Sequence, residues 1–442
     1  MPPSKQRLLV VTRHCPFPEN DGAGAYLFDL LRYLKHAGVR IDVLWLQPDS
    51  ARFRRGWLVV PQSFNEVAHL HLPGARTFFR ARIFPAIWWL PFKARLLHTV
   101  KSILCRLPMF RRRFARRQAA RQAPVAAAMN GGWSALPSRG ETSAFEQVYR
   151  RIRPTSVLVN YCWLAPLLDR SGGSRKLVLT HDVSSHRLPL TGAARYDLSP
   201  DTNPALPSGE SALLGRADAI VAISETDAAV FRAMQPSKLV VVAPKSAPLQ
   251  DLSAGPLQPG RCLFVGGRNP PNEEGLKWFL REVWPRVVEQ NPHAHLHVCG
   301  AIGDVFTKPV ANVTIRGRVT DLLPEYAAAE LVVVPLLRGT GLKIKLVEAA
   351  SHAKACVTTP VGLQGLAFFK DSVLCTDDAA EFAGHMRQLL SNAELRQTLG
   401  ARIATAARQH LSPEACYGPV HQCLGHAVES PAVQARPAIS LS

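Results

Sequence analysis

The sequence predicts an α/β protein of two doubly wound domains that face each other across a central cleft. Three observations carry this. From residue 7 to residue 243, short apolar runs rich in β-branched residues alternate with amphipathic helical stretches, the pattern of a parallel sheet with crossover helices. The same alternation starts afresh at Cys262. Between the two lies Pro244 to Gly260, PKSAPLQDLSAGPLQPG, which is proline-rich and aperiodic and reads as a linker. At 442 residues the chain also exceeds what one ordinary core supports. The expected division is a first domain at 1–245 with a basic insert at 75–145, a linker at 246–260, a second domain at 261–412, a terminal helix at 413–428 that packs back toward the first domain, and a disordered tail at 429–442.

Taken in order, Arg7 to Thr12 (RLLVVT) reads as the first strand and Pro16 to Gly24 as a turn. Tyr26 to Lys35 reads as an amphipathic helix closed by Gly38, and Val39 to Leu46 as the second strand. The turn lies at the carboxyl end of the first strand, where open sheets bind ligands. Residues 75 to 145 interrupt the alternation. Val157 to Asn160 and Leu177 to Thr180 resume it. Ala219 to Ile223 leads through Ser224, a good N-cap, into a helix over Thr226 to Met234, and Leu239 to Ala243 follows as a strand. The second half opens with Cys262 to Val265, then Gly266-Gly267 and a helix around Gly275 to Glu289. Strands at His295 to Cys299 and Val313 to Ile315 follow, then a short helix at Leu322 to Ala328. After the stretch at 331–350 comes a strand at Ala355 to Thr359, stopped by Pro360. Helices at Ala379 to Leu390, Glu394 to Gln409 and Pro413 to Ala427 complete the chain.

The composition is globular, 47% hydrophobic and 19% charged. The nine cysteines are odd in number, scattered and without a C-x-x-C pair, which argues for a reducing compartment and against both a disulfide framework and a zinc site. The apolar run near the start, Leu8 to Val11, is too short for a signal-peptide core. The most apolar segment, Ile83 to Phe92, is too short to span a bilayer and holds two prolines. The net charge of +20 is concentrated: Arg76 to Gly140 holds fourteen Lys or Arg and no Asp or Glu, which leaves about +6 (20 − 14) for the rest. A whole-protein nucleic-acid binder would spread a basic face over its fold, so nucleic acid is not the expected partner.

The chemistry concentrates in LVVVPLLRGTGLKIKLVE, Leu331 to Glu348. A buried strand ends at Pro335, and Gly339-Thr340-Gly341 forms a turn that only small residues enter easily. A helix is expected over Leu342 to Ala350. Strand, glycine turn and helix start make an anion site, because the helix N-terminus offers unpaired N–H groups and partial positive charge. Lys343 and Lys345 add full charges. Glu348 suits two neighbouring hydroxyls better than a phosphate. Together they suggest a nucleoside diphosphate, with phosphates on the loop and the ribose diol on Glu348.

Five pieces in one order and spacing resemble the GT-B glycosyltransferases, specifically the retaining group 1 (family 4) enzymes. They are PFPENDGAGAYLFDLLRYLKHAG near the start, LTHDV at 179–183, RADAIVAISETDAAVF at 216–231, FVGGRNPPNEEGLKWF at 264–279 and VVPLLRGTGLKIKLVEAASHAKACVTTPVGLQGL at 333–366. The resemblance covers nearly the whole chain outside 75–145. It implies two Rossmann-like domains with the sugar nucleotide held mostly by the second. It also implies sugar transfer with retention of anomeric configuration and no bound metal, in keeping with the lack of a D-x-D motif. The charge of the leaving diphosphate then falls to Lys, Arg and helix N-termini, with Arg268, Lys343 and Lys345 at hand.

Carried over residue by residue, Glu348 matches the family's ribose-binding glutamate. Gly24 matches a glycine loop near the donor phosphates, and His181 a histidine close to the transferred sugar. Gly339, Thr340, Gly341, Leu342 and Lys345 complete the implied donor site. Thr340 departs from the pattern: many members carry there the first glutamate of an E-x7-E pair, so which sugar is held, and how, is left open. His181 with Asp182 follows a strand and so faces the ligand crevice; its implied role is polar contact with the sugar rather than general base. Lys343 and Lys345 diverge by about 200° on a helix, so one alone can point straight at the diphosphate, and Lys343 is the better candidate. Asn272 reads as a helix cap rather than a base-binding residue. The catalytic set is therefore His181, Lys343 and Arg268.

The basic block carries an apolar stripe (Leu96, Leu97, Val100, Ile103, Leu104, Leu107) of the kind usually buried within a domain. Trp88 and Trp89, with Arg111, Arg112, Arg113, Arg116 and Arg117, go beyond packing needs. Tryptophans at an interface and arginines on headgroups point to an anionic membrane surface, with RNA or an acidic polymer as the second choice. The expected protein is a cytoplasmic enzyme, peripheral on the inner face of the membrane. It would take a sugar from a nucleotide-diphosphate sugar to a lipid-linked or polysaccharide acceptor. The alternatives are a sugar-nucleotide epimerase, which needs carboxylate pairs that the cleft motifs do not supply, and a non-catalytic nucleotide- or polyanion-binding protein, for which Thr340 speaks.

Overall fold

A computed structural model of the chain describes residues 6–17, 22–46, 57–73, 76–78, 81–83, 135–191, 199–250, 257–306, 308–339 and 341–425. The first sheet has seven strands: β1 (Arg7–Thr12), β2 (Arg40–Trp45), β4 (His69–His71), β7 (Ser156–Asn160), β8 (Arg175–Leu179), β9 (Ala219–Ala222) and β10 (Leu239–Val242). Their order is β10-β9-β8-β7-β1-β2-β4, all parallel. The second sheet has six: β11 (Arg261–Val265), β12 (His295–Cys299), β13 (Val313–Gly317), β14 (Leu331–Val334), β15 (Ala355–Thr358) and β16 (Leu374–Cys375). Their order is β13-β12-β11-β14-β15-β16, again all parallel. Central strands such as β7, β9, β14 and β15 are buried along their whole length, because crossover helices cover both faces. In each sheet the order reverses beside the first strand, between β1 and β7 and between β11 and β14. Such a reversal opens a crevice at the carboxyl ends of the strands.

The helices of the first half are α1 (Gly22–His36), α2 (Gln62–Val67), α3 (Arg139–Ile152), α4 (Ser184–Thr191), α5 (Pro207–Leu214) and α6 (Glu225–Met234). Helix α1 buries Tyr26, Leu27, Leu30, Leu31 and Leu34 against the sheet and ends at Gly38, whose φ of +88° suits glycine at a helix stop. It begins at Gly22, earlier than the apolar pattern implies, so Gly24 lies in its first turn rather than in the preceding loop. Residues 57–83 depart from expectation. Strands β3 (Trp57–Val59), β5 (Arg76–Phe78) and β6 (Ala81–Ile83) form a small antiparallel sheet, built from pieces too short to show a period. The expected end of the basic insert at 145 falls inside α3. That helix starts at a Ser138–Glu141 capping box and is tied to the end of β1 by the buried Arg13–Glu141 pair, 2.8 Å apart. The membrane-surface residues Trp88, Trp89, Arg111, Arg112, Arg113, Arg116 and Arg117 lie outside the described residues, as do the apolar stripe at 96–107 and the tail at 429–442.

The second half adds α7 (Pro270–Trp278), α8 (Trp284–Gln290), α9 (Leu323–Ala328), α10 (Ile344–Ser351), α11 (Ala379–Ser391), α12 (Ala393–His410) and α13 (Pro413–Gly425). Helix α13 crosses back to the first domain. Tyr33 of α1 donates to Glu414 at 2.6 Å, and the Tyr417 hydroxyl accepts from the Ser246 amide at 3.1 Å. Tyr417, Val420 and Cys416 are fully buried there, each large apolar side chain contributing about 1.5–3 kcal/mol.

Candidate functional site

Both sheet reversals are lined by the residues that the sequence singles out. At the first, β1 ends in Thr12 and β7 in Asn160, and the Asn160 amide donates to the Thr12 hydroxyl at 3.1 Å. His181, just past β8, bonds through Nε2 to Asn160 Oδ1 at 2.8 Å. Its ring is held edge-on by Tyr26 and tilted against Tyr161, with centroids 5.3 and 4.7 Å away. Tyr161 has a φ of +80°, unusual for a side chain of that size, and stacks on Trp163 at 4.2 Å. Next to His181, Asp182 forms a 2.6 Å ion pair with Arg187, whose guanidinium lies over the Tyr161 and Trp163 rings at 5.9 and 5.8 Å. The amides of Ser184 and Ser185, which open α4, are both taken at 2.8 Å by the buried carboxylate of Glu210 from α5. That N-terminus is thus already occupied.

At the second reversal, the loop after β14 runs through Gly339 (φ +135°) and Gly341 (φ +70°) into α10. The helix starts at Ile344, two residues later than expected, with Lys343 as its N-cap. Lys343 is buried, and its ammonium donates to the Gly341 carbonyl at 2.7 Å and to Gln364 Oε1 at 3.4 Å. Burial lowers its pKa to about 8, against the pull of Asp227 and Asp182. Lys345 points elsewhere: its ammonium hydrogen-bonds Asn272 Oδ1 and lies 5.3 Å from the centroid of the Phe264 ring. Burial, aided by the Lys343 charge, lowers its pKa to about 7. Glu348 accepts a 3.2 Å hydrogen bond from the buried Tyr326 hydroxyl. Burial raises its pKa, opposed by that bond and by Lys245 and Lys345. Leu342 packs into the core and serves as an anchor for the loop rather than as an open ligand contact. Thr340 lies outside the described residues.

The two reversals meet. A Cβ placed on Gly341 would lie 2.8 Å from the His181 carbonyl oxygen and 3.5 Å from the Asp182 Cβ. The structure thus brings together His181, Gly339, Gly341, Lys343, Lys345 and Glu348, with Gly24 in the first turn of the helix that follows β1.

Two expectations are corrected. Arg268 does not join the cluster: its side chain is 64% exposed and lies 3.9 Å from Glu273, because the Gly266-Gly267 turn carries it outward. The cap of α7 is Asn269, not Asn272. Asn272 instead donates to the Gly267 carbonyl at 2.8 Å and accepts from Lys345, pinning the turn after β11 to α10. Sequence reading missed Lys245, Tyr326, Arg187 and Glu210. Lys245, in ion-pair contact with Asp29, has its pKa lowered to about 8 by burial and is drawn back up by Glu348. Tyr326 stacks on His352 at 4.1 Å. None belongs to a short motif.

Among the described residues, Asp42, His69 and His71 place three ligand atoms close enough for a metal ion. Arg7 donates to Asp42 at 2.8 Å, and Arg151 lies 2.7 Å from His71 Nδ1. An arginine can only donate, so the second His71 nitrogen carries the proton that bonds Asp42 at 2.8 Å. Burial alone would raise the Asp42 carboxyl, but His71 and Arg7 hold it well below the usual range. This is a charge-paired network on β2 and β4, not an open cation site. No helix among the described residues is long and apolar enough to cross a membrane.

Comparison with known proteins agrees with this geometry. Residues 259–392 match the protein-family model described as Glycosyl transferases group 1. An uncharacterised 44.6 kDa protein from the cps region of Klebsiella pneumoniae is 27% identical over 137 residues, covering 28% of this chain and 35% of that protein. The matched part thus spans about a third of that relative's length. Sucrose-phosphate synthase from Thermosynechococcus elongatus superposes with a TM-score of 0.60 at 15% identity, over 94% of this chain and 98% of the other. TarM superposes with a TM-score of 0.64 at 8% identity, over 96% and 99%. HepE of Anabaena, solved with UDP, does so with a TM-score of 0.57 at 11% identity, over 95% and 99%. The architecture is the GT-B fold: two parallel-sheet domains over a shared crevice.

Proposed function

We propose that this protein is a retaining, metal-independent glycosyltransferase that moves a sugar from a nucleotide-diphosphate sugar to a lipid-linked or polysaccharide acceptor. One observation carries the reading. A glycine loop with two lysines and a glutamate faces the His181 strand end at the point where both sheet reversals converge. The family match over 259–392 covers this loop, and UDP is the ligand in the HepE structure.

Each residue then has a task. The loop amides and the Lys343 ammonium meet the diphosphate as its charge grows on leaving. Lys345, held by Asn272, points away from the loop and adds its positive charge at longer range. Glu348, with one oxygen oriented by Tyr326, accepts the ribose hydroxyls. His181, fixed by Asn160 and two tyrosine rings, makes polar contact with the sugar. In a front-face reaction the departing phosphate oxygen takes the acceptor's proton, so no protein base is required. Arg268 is left out of the catalytic set.

The basic block supports the acceptor side of the reading: fourteen cationic side chains without an acid would hold the enzyme against an anionic leaflet where lipid-linked acceptors reside. A thermal-shift screen of nucleotide sugars tests the function. One uridine or guanosine diphosphate sugar is expected to raise the melting temperature, and a flat response across the panel would refute the reading.

A further inference from the structure

Asp182 is buried, 8% exposed, at the carboxyl end of β8. Arg187 holds one of its carboxylate oxygens in the 2.6 Å ion pair, and Tyr161 and Trp163 hold Arg187. The other oxygen, Oδ1, is buried with no hydrogen-bond partner. Such a group is rare and costly in a finished structure. The amides of Ser184 and Ser185, two and three residues on, are both taken by Glu210. The Gly341 backbone lies across from it, 3.5 Å between the Asp182 Cβ and the position of a Cβ on Gly341. Asp182 is also close enough to Lys343 to act on its charge.

The missing partner has a definite chemistry. A carboxylate oxygen accepts and does not donate. A phosphate is excluded by like charge, and a metal ion is disfavoured by the cations Arg187 and Lys343. Of the groups a nucleotide sugar offers, a neutral sugar hydroxyl is the donor that fits. With the diphosphate at Lys343 and the glycine loop, the group bonded to that diphosphate lies on the facing strand end, where Asp182 is. We propose that Asp182 is a ligand of the transferred sugar: Arg187 fixes one carboxylate oxygen and leaves the other to accept a sugar hydroxyl. The assignment rests on the nucleotide-sugar reading above and gives that site a carboxylate for the sugar, with a neutral threonine at 340. Arg187 is the positioning residue.

Calorimetric titration of wild type, Asp182→Asn and Asp182→Glu tests this, using the nucleotide sugar found by thermal shift and its nucleoside diphosphate alone. Asp182→Glu, which keeps the charge beside Lys343, is expected to bind the nucleoside diphosphate within about twofold of wild type, and both variants are expected to bind the nucleotide sugar about tenfold or more weaker. Asp182→Glu keeps the charge and the ion pair, so it preserves the test should the asparagine variant not fold. A variant that binds the nucleotide sugar as wild type does, or loses both ligands equally, overturns the assignment while the function stands. A folded wild type that binds neither ligand overturns the nucleotide-sugar reading, and the assignment with it.

Discussion

Gly341 and His181 follow strands of different sheets, 160 residues apart in sequence, yet a methyl group on the one would press on the carbonyl oxygen of the other at 2.8 Å. The contact joins the turn that should carry phosphate to the strand end that should meet the sugar. Gly341 also has a φ of +70°, so two independent constraints require glycine. Gly341→Ala is expected to cost about 1–3 kcal/mol from backbone strain alone and to abolish nucleotide-sugar binding by displacing the loop. A melting curve and a donor titration check both parts, and an unchanged donor affinity would show that the loop is not the donor site.

Glu348→Ala is expected to weaken nucleotide-sugar binding by about 1.5–3 kcal/mol, the worth of hydrogen bonds to a charged group. Tyr326→Phe removes a bond that orients the same carboxylate without touching the ligand, so it should weaken nucleotide-sugar binding less, by about 0.5–1.5 kcal/mol. Calorimetry ranks the two. A larger loss from Tyr326→Phe would mean that Glu348 is a structural partner of Tyr326 and not a ribose ligand.

Donor affinity should depend on pH with a definite sign. Burial lowers the pKa of Lys345 to about 7 and of Lys343 to about 8, so each ammonium loses its proton as the pH rises through those values. The diphosphate of a nucleotide sugar interacts with the charged form. Affinity should therefore be highest below pH about 7 and fall from there through about 9. Lys345→Gln should remove the lower part of that fall. A flat profile between pH 6 and pH 9 would show that neither lysine meets the diphosphate.

Lys343→Ala is expected to lower turnover more than donor affinity, because its charge matters most when the diphosphate leaves. Initial rates and a binding isotherm on the same preparation separate the two effects. Equal losses would confine Lys343 to binding the ground state.

Anionic vesicles should sediment the protein at low salt and release it at high salt, and neutral vesicles should not hold it. Each engaged arginine adds on the order of 1 kcal/mol near an anionic leaflet. Replacing Arg111, Arg112, Arg113, Arg116 and Arg117 with glutamine should abolish sedimentation and leave donor hydrolysis intact. A wild type that stays in the supernatant at low salt would contradict the membrane reading and direct the test to RNA and acidic polysaccharide.

Much of this was legible in the chain because it is local. The alternation of apolar runs gives the two parallel sheets, Gly38 stops α1, and Ser224 caps α6 by accepting from the Asp227 amide. Lys343 and Glu348 could be singled out because turn and helix are continuous in sequence. What escaped depends on residues far apart. Lys245, Tyr326 and Arg187 acquire meaning only from the partners that folding places beside them. Asn269 and Asn272 are equally good caps on paper, and the three-residue strands β3, β5 and β6 are too short to carry a period. One signal was readable and was passed over: Ser138-x-x-Glu141, the capping box that starts α3 inside the basic stretch.

Release of nucleoside diphosphate from a panel of nucleotide sugars, by wild type and by folded Lys343→Ala and Glu348→Ala, separates transfer from mere binding. Slow hydrolysis of one donor by the wild type is expected, reduced about tenfold or more in both variants. Binding without release by the wild type would make this a nucleotide-binding protein of GT-B shape, and release that is insensitive to both substitutions would place the reaction elsewhere in the molecule.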